Sequence, residues 1–245
     1  MNAYLIKLAW LAVTVFYIAG PAFASEKKTY HSYKEFYQDV LGPTAKIQAL
    51  KQGFDPIFIE GEEQRCFKLD HGKNLIEYCA DKNGAFEISK QRFSIGKYRV
   101  KWLDKPLPKP EISTASASEI YLGKQHFICA EMNYEGIGMS GTFQRYRLTF
   151  IFNVTKPNRV TSYAAPGLFA SCNAFGDANG DEKLDFVLVK RAKNHDGDYE
   201  AWLYTLTPDG FTQKIRKTPI RLKPSNPDNP YEFSLDERIG VRTKE

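Results

Sequence analysis

Histidine is scarce in this chain, and the few copies are scattered. There are four among 245 residues, namely His31, His71, His126 and His195. None stands at a spacing that pairs it with a nucleophile or a carboxylate in a known catalytic motif. Cys66, His71 and Cys79 also lack the ligand spacing of a zinc site. The sequence therefore presents no evident catalytic set.

The chain also lacks a nucleotide-binding unit. Residues 136–141 satisfy the pattern G-x-G-x-x-G, but the residues that follow are β-forming rather than helical. No acidic residue stands about 20 positions further on, where a ribose contact would be needed. We therefore expect a glycine loop between two strands and no bound nucleotide. No nucleic-acid-binding module is recognisable, so nucleic acid is not expected as a partner either.

Long apolar runs are missing except at the beginning of the chain. Residues 8–19 are apolar apart from one threonine, Lys7 precedes them, and Ala22-Phe23-Ala24 forms a small-residue cleavage pattern before Ser25. This pattern predicts a signal peptide over residues 1–24 and a periplasmic or secreted protein. The run is short for a span of about 20 residues, so no stable membrane span is expected after cleavage. An uncleaved anchor is the alternative.

Export gives the four cysteines a structural meaning. In an oxidising compartment they can form two disulfides with none left over, although three connectivities are open. A turn over residues 71–74 would place Cys66 directly opposite Cys79 in a hairpin, with apolar residues facing each other on both strands. The remaining pair is then Cys129 with Cys172. We expect these cysteines to be structural.

The order of the local patterns predicts a mainly β fold. Ser32 and Glu35 form a capping box before an apolar stripe that ends at Gly42, which predicts one short N-terminal helix. A second short helix is suggested over residues 44–51. From residue 57 onward, short β-forming segments alternate with turn signals, and the last of these segments predicts a single strand over residues 211–222. We expect antiparallel sheets, arranged as a sandwich or as partial propeller-like blades, and the absence of a repeat period excludes a complete propeller.

Composition divides the chain into five segments. They are a signal peptide (residues 1–24), a helix with a small β region (25–102), a proline-rich connector (103–114), a β domain (115–222) and an extended tail (223–245). The connector carries prolines on alternate positions, which stiffens an extended chain. The tail has several prolines and little apolar content, so we expect it to wrap the surface or to be mobile.

The most distinctive segment is acidic and spans residues 175–190. Oxygen ligands alternate along a tight turn there, and an apolar strand follows. The four side-chain ligands would come from Asp177, Asn179, Asp181 and Asp185, and Lys183 can offer its backbone carbonyl. Such a set suits calcium, which takes about six to eight oxygen ligands. It is not an EF-hand loop, because the required glycine and the required last carboxylate are replaced by Glu182 and Leu188.

The run D-x-N-G-D-x-x-x-D followed by an apolar strand resembles the FG-GAP repeat, also called the VCBS repeat. In that family the acidic loop binds calcium between two strands of a blade. The resemblance implies the same five ligands here, from Asp177 to Asp185, and a structural calcium ion. This chain carries one copy, with Glu182 where the family usually has glycine. An acidic solvated turn stabilised by Asx-type hydrogen bonds is the alternative.

These features indicate a non-enzymatic protein that acts in recognition or structure in the cell envelope. Basic residues cluster near residues 190–193 and 214–223 and could favour an envelope protein or an acidic polysaccharide as partner. One alternative is an inhibitor or immunity-type protein that inserts residues 135–142 into the cleft of an envelope-active enzyme.

The other alternative is a hydrolase whose site is assembled from distant strands. Such a site would bring together several of His126, Glu131, His195 and Asp196 in one pocket.

Overall fold

A computed structural model describes residues 28–43, 45–49, 65–71, 74–80, 85–88, 91–94, 111–133, 146–156, 159–193, 197–226 and 229–235. The predicted signal peptide, the glycine loop over residues 136–141 and residues 103–110 of the predicted connector lie outside this part of the chain. No helix of the described part is long and apolar enough to cross a membrane.

The described residues form one α-helix and sixteen strands. The helix is α1 (Tyr33–Leu41). The strands are β1 (Thr29–Tyr30), β2 (Lys46–Ala49), β3 (Arg65–His71), β4 (Asn74–Ala80), β5 (Ala85–Ile88), β6 (Gln91–Ser94), β7 (Glu111–Leu122), β8 (Gln125–Asn133), β9 (Tyr146–Asn153), β10 (Thr161–Leu168), β11 (Phe175–Gly176), β12 (Asp185–Arg191), β13 (Tyr199–Thr207), β14 (Gly210–Lys214), β15 (Ile220–Asn226) and β16 (Asn229–Leu235). All pairings are antiparallel. The predicted mainly β fold with a short N-terminal helix is confirmed.

The helix begins and ends where the sequence predicts. The Glu35 N–H donates to the Ser32 hydroxyl at 3.2 Å, and the Gly42 N–H donates to the Gln38 carbonyl at 3.1 Å. The Glu35 carboxylate accepts from the His31 N–H, one residue earlier than in a standard capping box. The buried stripe consists of Tyr33, Phe36, Tyr37, Val40 and Leu41.

Sheet A contains β1, β16, β15, β13, β12 and β11 in that order, and β14 pairs with β13 beside β15. The helix α1 packs on one face of this sheet. The rings of Tyr33 and Phe36 lie 4.7 and 5.6 Å from the ring of Phe233 on β16. At Gly176 on β11, an added Cβ would come within 2.7 Å of the Leu41 Cβ. This close approach requires glycine.

Sheet B contains β10, β9, β8, β7 and β2 in that order, and it packs against the other face of sheet A. An added Cβ at Gly167 on β10 would lie 3.1 Å from the Leu188 side chain on β12. Phe211 contacts both the ring of Phe186 on sheet A and the ring of Tyr163 on sheet B. Phe186 and Leu188 belong to one continuous core that also includes α1, and Phe211 packs against this core.

Two hairpins complete the described fold. The Phe93 ring on β6 contacts Phe152 at 5.5 Å, so the β5–β6 hairpin covers the outer face of sheet B. In the β3–β4 hairpin, Cys66 is the cross-strand partner of Cys79. This is the backbone register that the sequence predicts, and the disulfide between these two cysteines stays a prediction.

Four expectations differ from the structure. Residues 46–49 form β2 rather than part of a second helix, because they pair with β7. The single strand expected over residues 211–222 is two strands, β14 and β15. The connector predicted over residues 103–114 contains the start of β7 at Glu111. The tail predicted to wrap the surface or to be mobile instead contributes residues 223–226 to β15 and residues 229–235 to β16, whose Phe233 is fully buried.

Candidate functional site

Four of the five predicted calcium ligands lie in the connection between two paired strands, and the fifth, Asp185, begins the second strand. Phe175 pairs with Phe186, and Gly176 pairs with Asp185, so residues 177–184 form the turn that joins β11 to β12. We call residues 177–184 the acidic turn. The two phenylalanine rings stack at 4.9 Å beneath it. The residues just before and just after the acidic turn are therefore held together by the stacked rings of Phe175 and Phe186.

Asp177 organises the acidic turn through its carboxylate. The N–H groups of Gly180 and Asp181 donate to its Oδ1 at 2.7 and 3.1 Å, and the Glu182 N–H donates to its Oδ2 at 3.1 Å. The Asn179 side-chain oxygen accepts a further hydrogen bond from Asp181 N–H at 3.0 Å. These Asx-type hydrogen bonds close the turn without a ligand. The same arrangement is expected if the segment is an acidic solvated turn rather than a calcium site.

Asp181 interacts with Lys183 rather than with the other carboxylates. The Lys183 N–H donates to its Oδ1 at 3.0 Å, and the Lys183 ammonium lies 3.1 Å from its Oδ2. Partial burial acts to raise the pKa of Asp181, but the hydrogen bonds and the charge of Lys183 together hold it below its ordinary value. The positive charge of Lys183 thus compensates the negative charge of Asp181, one of the predicted ligands.

Asp185 is the most deeply placed of the predicted ligands, with no exposed surface. Its Oδ2 accepts from the Ala178 N–H at 2.8 Å, and its Oδ1 accepts from the Thr205 hydroxyl at 2.7 Å. Burial raises its pKa to about 7, against these hydrogen bonds, and the negative charges of Asp181 and Asp177 add to the rise. Asp185 is therefore close enough to Asp177 and Asp181 to be repelled by their charges.

The acidic turn contains two residues in the left-handed region. They are Gly180, with φ of 70°, and Glu182, with φ of 62°. The first is the bend that the sequence predicts, and the second is the position where the FG-GAP repeat, which the sequence resembles, usually has glycine. The Glu182 carbonyl accepts a hydrogen bond of 2.6 Å from the Gln125 side chain on β8. This contact ties the strained position to sheet B, and an added Cβ at Gly123 would lie 3.6 Å from the Glu182 carboxylate.

The donor set matches calcium in kind but is not closed around one centre. Carboxylate and amide oxygens are present, and an oxygen that accepts one N–H keeps a second lone pair for a cation. Within the part of the chain that the structure describes, however, no group of three or more His, Cys, Asp or Glu side chains is placed to hold a metal ion. Binding of calcium would require Asp181 to leave Lys183 and turn toward Asp177 and Asp185.

A disulfide lies next to the acidic turn. Cys129 on β8 is bonded to Cys172, with a Cα–Cα distance of 5.7 Å, and Cys172 begins a short 3-10 turn that leads into β11. The Cys172 N–H also donates to the Glu131 carboxylate at 2.6 Å. This predicted disulfide is confirmed. The segment before the acidic turn is therefore attached to sheet B by a covalent bond and a charge-assisted hydrogen bond.

The residues considered for a hydrolase do not converge where the structure describes them. Because side chains alternate along β8, His126 and Glu131 point to opposite faces of sheet B. His126 Nε2 lies 2.9 Å from Glu119 Oε1, and its ring stacks on Tyr121 at 4.5 Å. His195 and Asp196 lie outside the described residues, as do residues 135–142 of the proposed inhibitory loop.

A concavity of about 420 Å³ lies beside the end of α1. Tyr37, Leu41, Ile47 and Phe175 form its apolar part, and Lys34, Gln38 and Asn173 are its larger polar side chains. No histidine or carboxylate of the described residues lines it. The concavity therefore holds none of the described histidine or carboxylate residues that were considered for a hydrolase.

Sequence reasoning missed three polar partners that the sheet pairing creates. Thr205 reaches Asp185 from β13, and Glu119 and Tyr121 meet His126 across β7 and β8. The turn at Gly123 could have revealed the second set, because a short hairpin around it places Tyr121 opposite His126. No short hairpin pairs Thr205 with Asp185, which lies 20 residues earlier in the chain, so the sequence carried no signal for this hydrogen bond.

No family model, curated protein or solved structure matches this chain.

Proposed function

We propose that this protein is exported and acts in recognition or structure outside the cytoplasm, without enzymatic activity, and that calcium strengthens its acidic turn. The ligands would be Asp177, Asn179, Asp181 and Asp185 with the Lys183 carbonyl, as in the FG-GAP repeat. Its partner would be an envelope protein or an acidic polysaccharide. The observation that carries the calcium part is the burial of the Asp177 and Asp185 side chains side by side, where burial and then repulsion by the charges of Asp181 and Asp177 raise the pKa of Asp185.

Calcium would act by removing this repulsion. Asp185 is buried between β12 and β13, and Asp177 is 4% exposed, so water screens their charges poorly. A divalent cation among these carboxylates would favour their ionised forms and fix the turn. The strand that follows, β12, pairs with both β11 and β13, so a fixed turn would hold the register in the middle of the core.

The disulfide supports a location of the protein outside the cytoplasm. A bond between Cys129 and Cys172 persists in the periplasm or outside the cell, whereas cytosolic thiols are usually kept reduced. Together with the small-residue cleavage pattern before Ser25, it favours a periplasmic or secreted protein.

Thermal unfolding of the mature protein with calcium and with chelator tests the calcium part. At a calcium concentration of a hundred times Kd, binding stabilises the folded state by about 2.7 kcal/mol. We expect the melting temperature to rise with calcium in the wild-type protein and to rise much less in Asp181→Asn. That change removes a ligand charge but keeps an oxygen that accepts from the Lys183 N–H.

Asp209→Asn is the matched control, because Asp209 is an exposed acidic residue in the turn between β13 and β14. Its response to calcium should equal that of the wild-type protein. An identical wild-type melting curve in calcium and in chelator would refute calcium binding and reduce the acidic turn to a structural connection.

A further inference from the structure

Two basic clusters that are distant in the sequence meet on the face of sheet A that packs on sheet B, beyond the part covered by β10. Residues directly opposite each other in antiparallel strands share a face. On β13 this face carries Glu200, Trp202 and Tyr204. Lys190 on β12 lies opposite Glu200, and Lys214 on β14 lies opposite Tyr204. We call these five residues the Trp202 surface.

Both lysines direct their ammonium groups at the same indole. The Lys214 Nζ lies 3.8 Å from the centroid of the Trp202 ring and 6.0 Å from that of Tyr204. The Lys190 Nζ lies 5.0 Å from the Trp202 centroid. The indole thus gathers two positive charges that the sequence separates by more than twenty residues.

Glu200 fixes the orientation of this arrangement. Its carboxylate accepts the indole N–H of Trp202 at 3.1 Å and lies 3.6 Å from the Lys190 Nζ. The Glu200 carboxylate thus interacts with both Trp202 and Lys190. Lys214 is exposed, and in the described part of the chain its ammonium contacts only the two aromatic rings. The surface therefore retains an excess of positive charge.

The lysines are positioned but remain available to an anion. A cation–π contact at an exposed site is worth only about 0.5–1 kcal/mol. A carboxylate that approaches an ammonium can form a charge-assisted hydrogen bond, which is roughly twice as strong as a neutral one. An incoming anion can therefore replace the ring as the partner of Lys214, while the indole still contacts the apolar part of the ligand.

The surroundings of the surface favour a polyanion. Arg221 on β15 lies opposite Glu200, and Lys223 follows two residues later on the same face. The complete chain carries a formal net charge of +5. Several basic side chains on one sheet face would match repeated negative charges better than a single ion.

The shape of the surface favours a soluble polymer over a membrane. Trp202 and Tyr204 are half-buried under lysine side chains rather than protruding. The one large apolar side chain that is exposed among the described residues is Tyr231, at 48%, and it lies on the α1 face of sheet A. Interfacial binding to a bilayer needs apolar side chains that can enter it, and this face does not present them.

We propose that the Trp202 surface binds an acidic polysaccharide. Lys190 and Lys214 pair with uronate carboxylates, and the C–H face of a sugar ring packs on the indole of Trp202, as apolar groups do on aromatic rings. This inference rests on the proposed recognition role, but it does not depend on the acidic turn or on calcium.

Titration calorimetry with a short oligogalacturonate tests the proposal. Its methyl ester is the matched probe, since it has the same sugar backbone without the charges. Both titrations are performed in chelator, so that a failure of calcium binding and a failure of polymer binding are observed separately. We expect binding of the acid form, weaker binding at high salt because of screening, and no binding of the ester.

Variants then assign the binding to this surface. We expect Lys214→Gln to raise Kd about threefold and the double change Lys190→Gln with Lys214→Gln to raise it about tenfold, in line with exposed charge pairs. The control is Lys156→Gln, which removes an equal charge from an exposed residue between β9 and β10 and should leave Kd unchanged.

Equal binding of the ester, or an equal effect of Lys156→Gln, would overturn the proposal. So would binding to phosphatidylglycerol vesicles in the absence of binding to oligogalacturonate, since it would assign the surface to lipid. Absence of oligogalacturonate binding by the wild-type protein would also overturn it, whatever the outcome of the calcium measurement.

Discussion

A single buried carboxyl group, that of Asp185, links the stability of this protein to pH. In the folded protein its pKa is about 7, whereas an exposed aspartate has a pKa of about 3.9. Between these two values the folded protein keeps a proton that the unfolded chain has lost. The stabilisation from this proton is complete below pH 4 and is lost as pH rises through 7.

We predict that Asp185→Asn flattens this part of the pH profile. Both proteins are measured in chelator. Between pH 4 and pH 8, the free energy of unfolding of the wild-type protein should fall by on the order of 3–4 kcal/mol more than that of the variant. The reason is that only the wild-type protein acquires a buried negative charge at position 185 as the pH rises. Urea unfolding at a series of pH values measures the difference. Parallel profiles for the two proteins would show that Asp185 ionises normally.

At the level of residues, the sequence predicts which side chains share the acidic turn but not their environment. Alternation of Asp and Asn identifies the turn, and Gly180 identifies its bend. The burial of Asp185 and its bond to Thr205 depend on the register between β12 and β13, which local composition does not encode. The pairing of Asp181 with Lys183 was available from the sequence, since the two residues are two positions apart.

Among the secondary-structure elements, α1 is the one whose bounds follow directly from its sequence. Ser32 accepts a backbone hydrogen bond at the start, and Gly42, with φ of 69°, ends the helix in a conformation that other residues adopt at a cost. The rings of α1 then cover β1 and β16, where Tyr30 and Phe233 stack at 5.6 Å.

We predict that Ser32→Ala destabilises the protein by about 1 kcal/mol, because the Glu35 N–H at the first turn loses its acceptor. Ser32→Asp should be nearly neutral, since a carboxylate accepts the same bond and interacts favourably with the helix N-terminus. Denaturant unfolding of the three proteins checks the prediction. An alanine variant as stable as the wild-type protein would mean that water replaces the cap.

Strand pairing accounts for the elements that the sequence misplaced. The chain is interrupted between β14 and β15, because β14 pairs with residues 204–207 of β13 whereas β15 pairs with residues 199–201 of the same strand. Nothing in the apolar pattern of residues 211–222 marks that interruption. The proline-rich segment after Lys223 was predicted as a tail because prolines are rare in sheets, yet Pro224 lies within β15, where the register is irregular.

Over the whole molecule, the disulfide between Cys129 and Cys172 joins the two sheets. Cys129 lies in the middle strand of sheet B, and Cys172 precedes the edge strand of sheet A. The sequence predicts the disulfide between Cys129 and Cys172 only by elimination, once Cys66 and Cys79 are paired in a hairpin. The strand order of the sheets could not be predicted, since β1 and β2, although close in the chain, belong to different sheets.

We predict that replacing Cys129 and Cys172 together by alanine lowers the free energy of unfolding by about 4 kcal/mol, because the bond closes a loop with a sequence separation of 43 residues. Denaturant unfolding of the oxidised wild-type protein and of the double variant measures the loss. Glu131→Gln is a useful comparison, since it weakens the neighbouring hydrogen bond to the Cys172 N–H and leaves the covalent link intact. A double variant of unchanged stability would contradict the structural role of the bond.

The pairing of β1 with β16 places Thr29 beside Ser234, so the described chain enters and leaves sheet A along one rim. The acidic turn joins β11 to β12 at the opposite rim, and four to five interstrand steps of about 4.8 Å put it roughly 20–24 Å away across the sheet. Contact of a surface with the rim at Thr29 and Ser234 would therefore leave the acidic turn on the far side of sheet A.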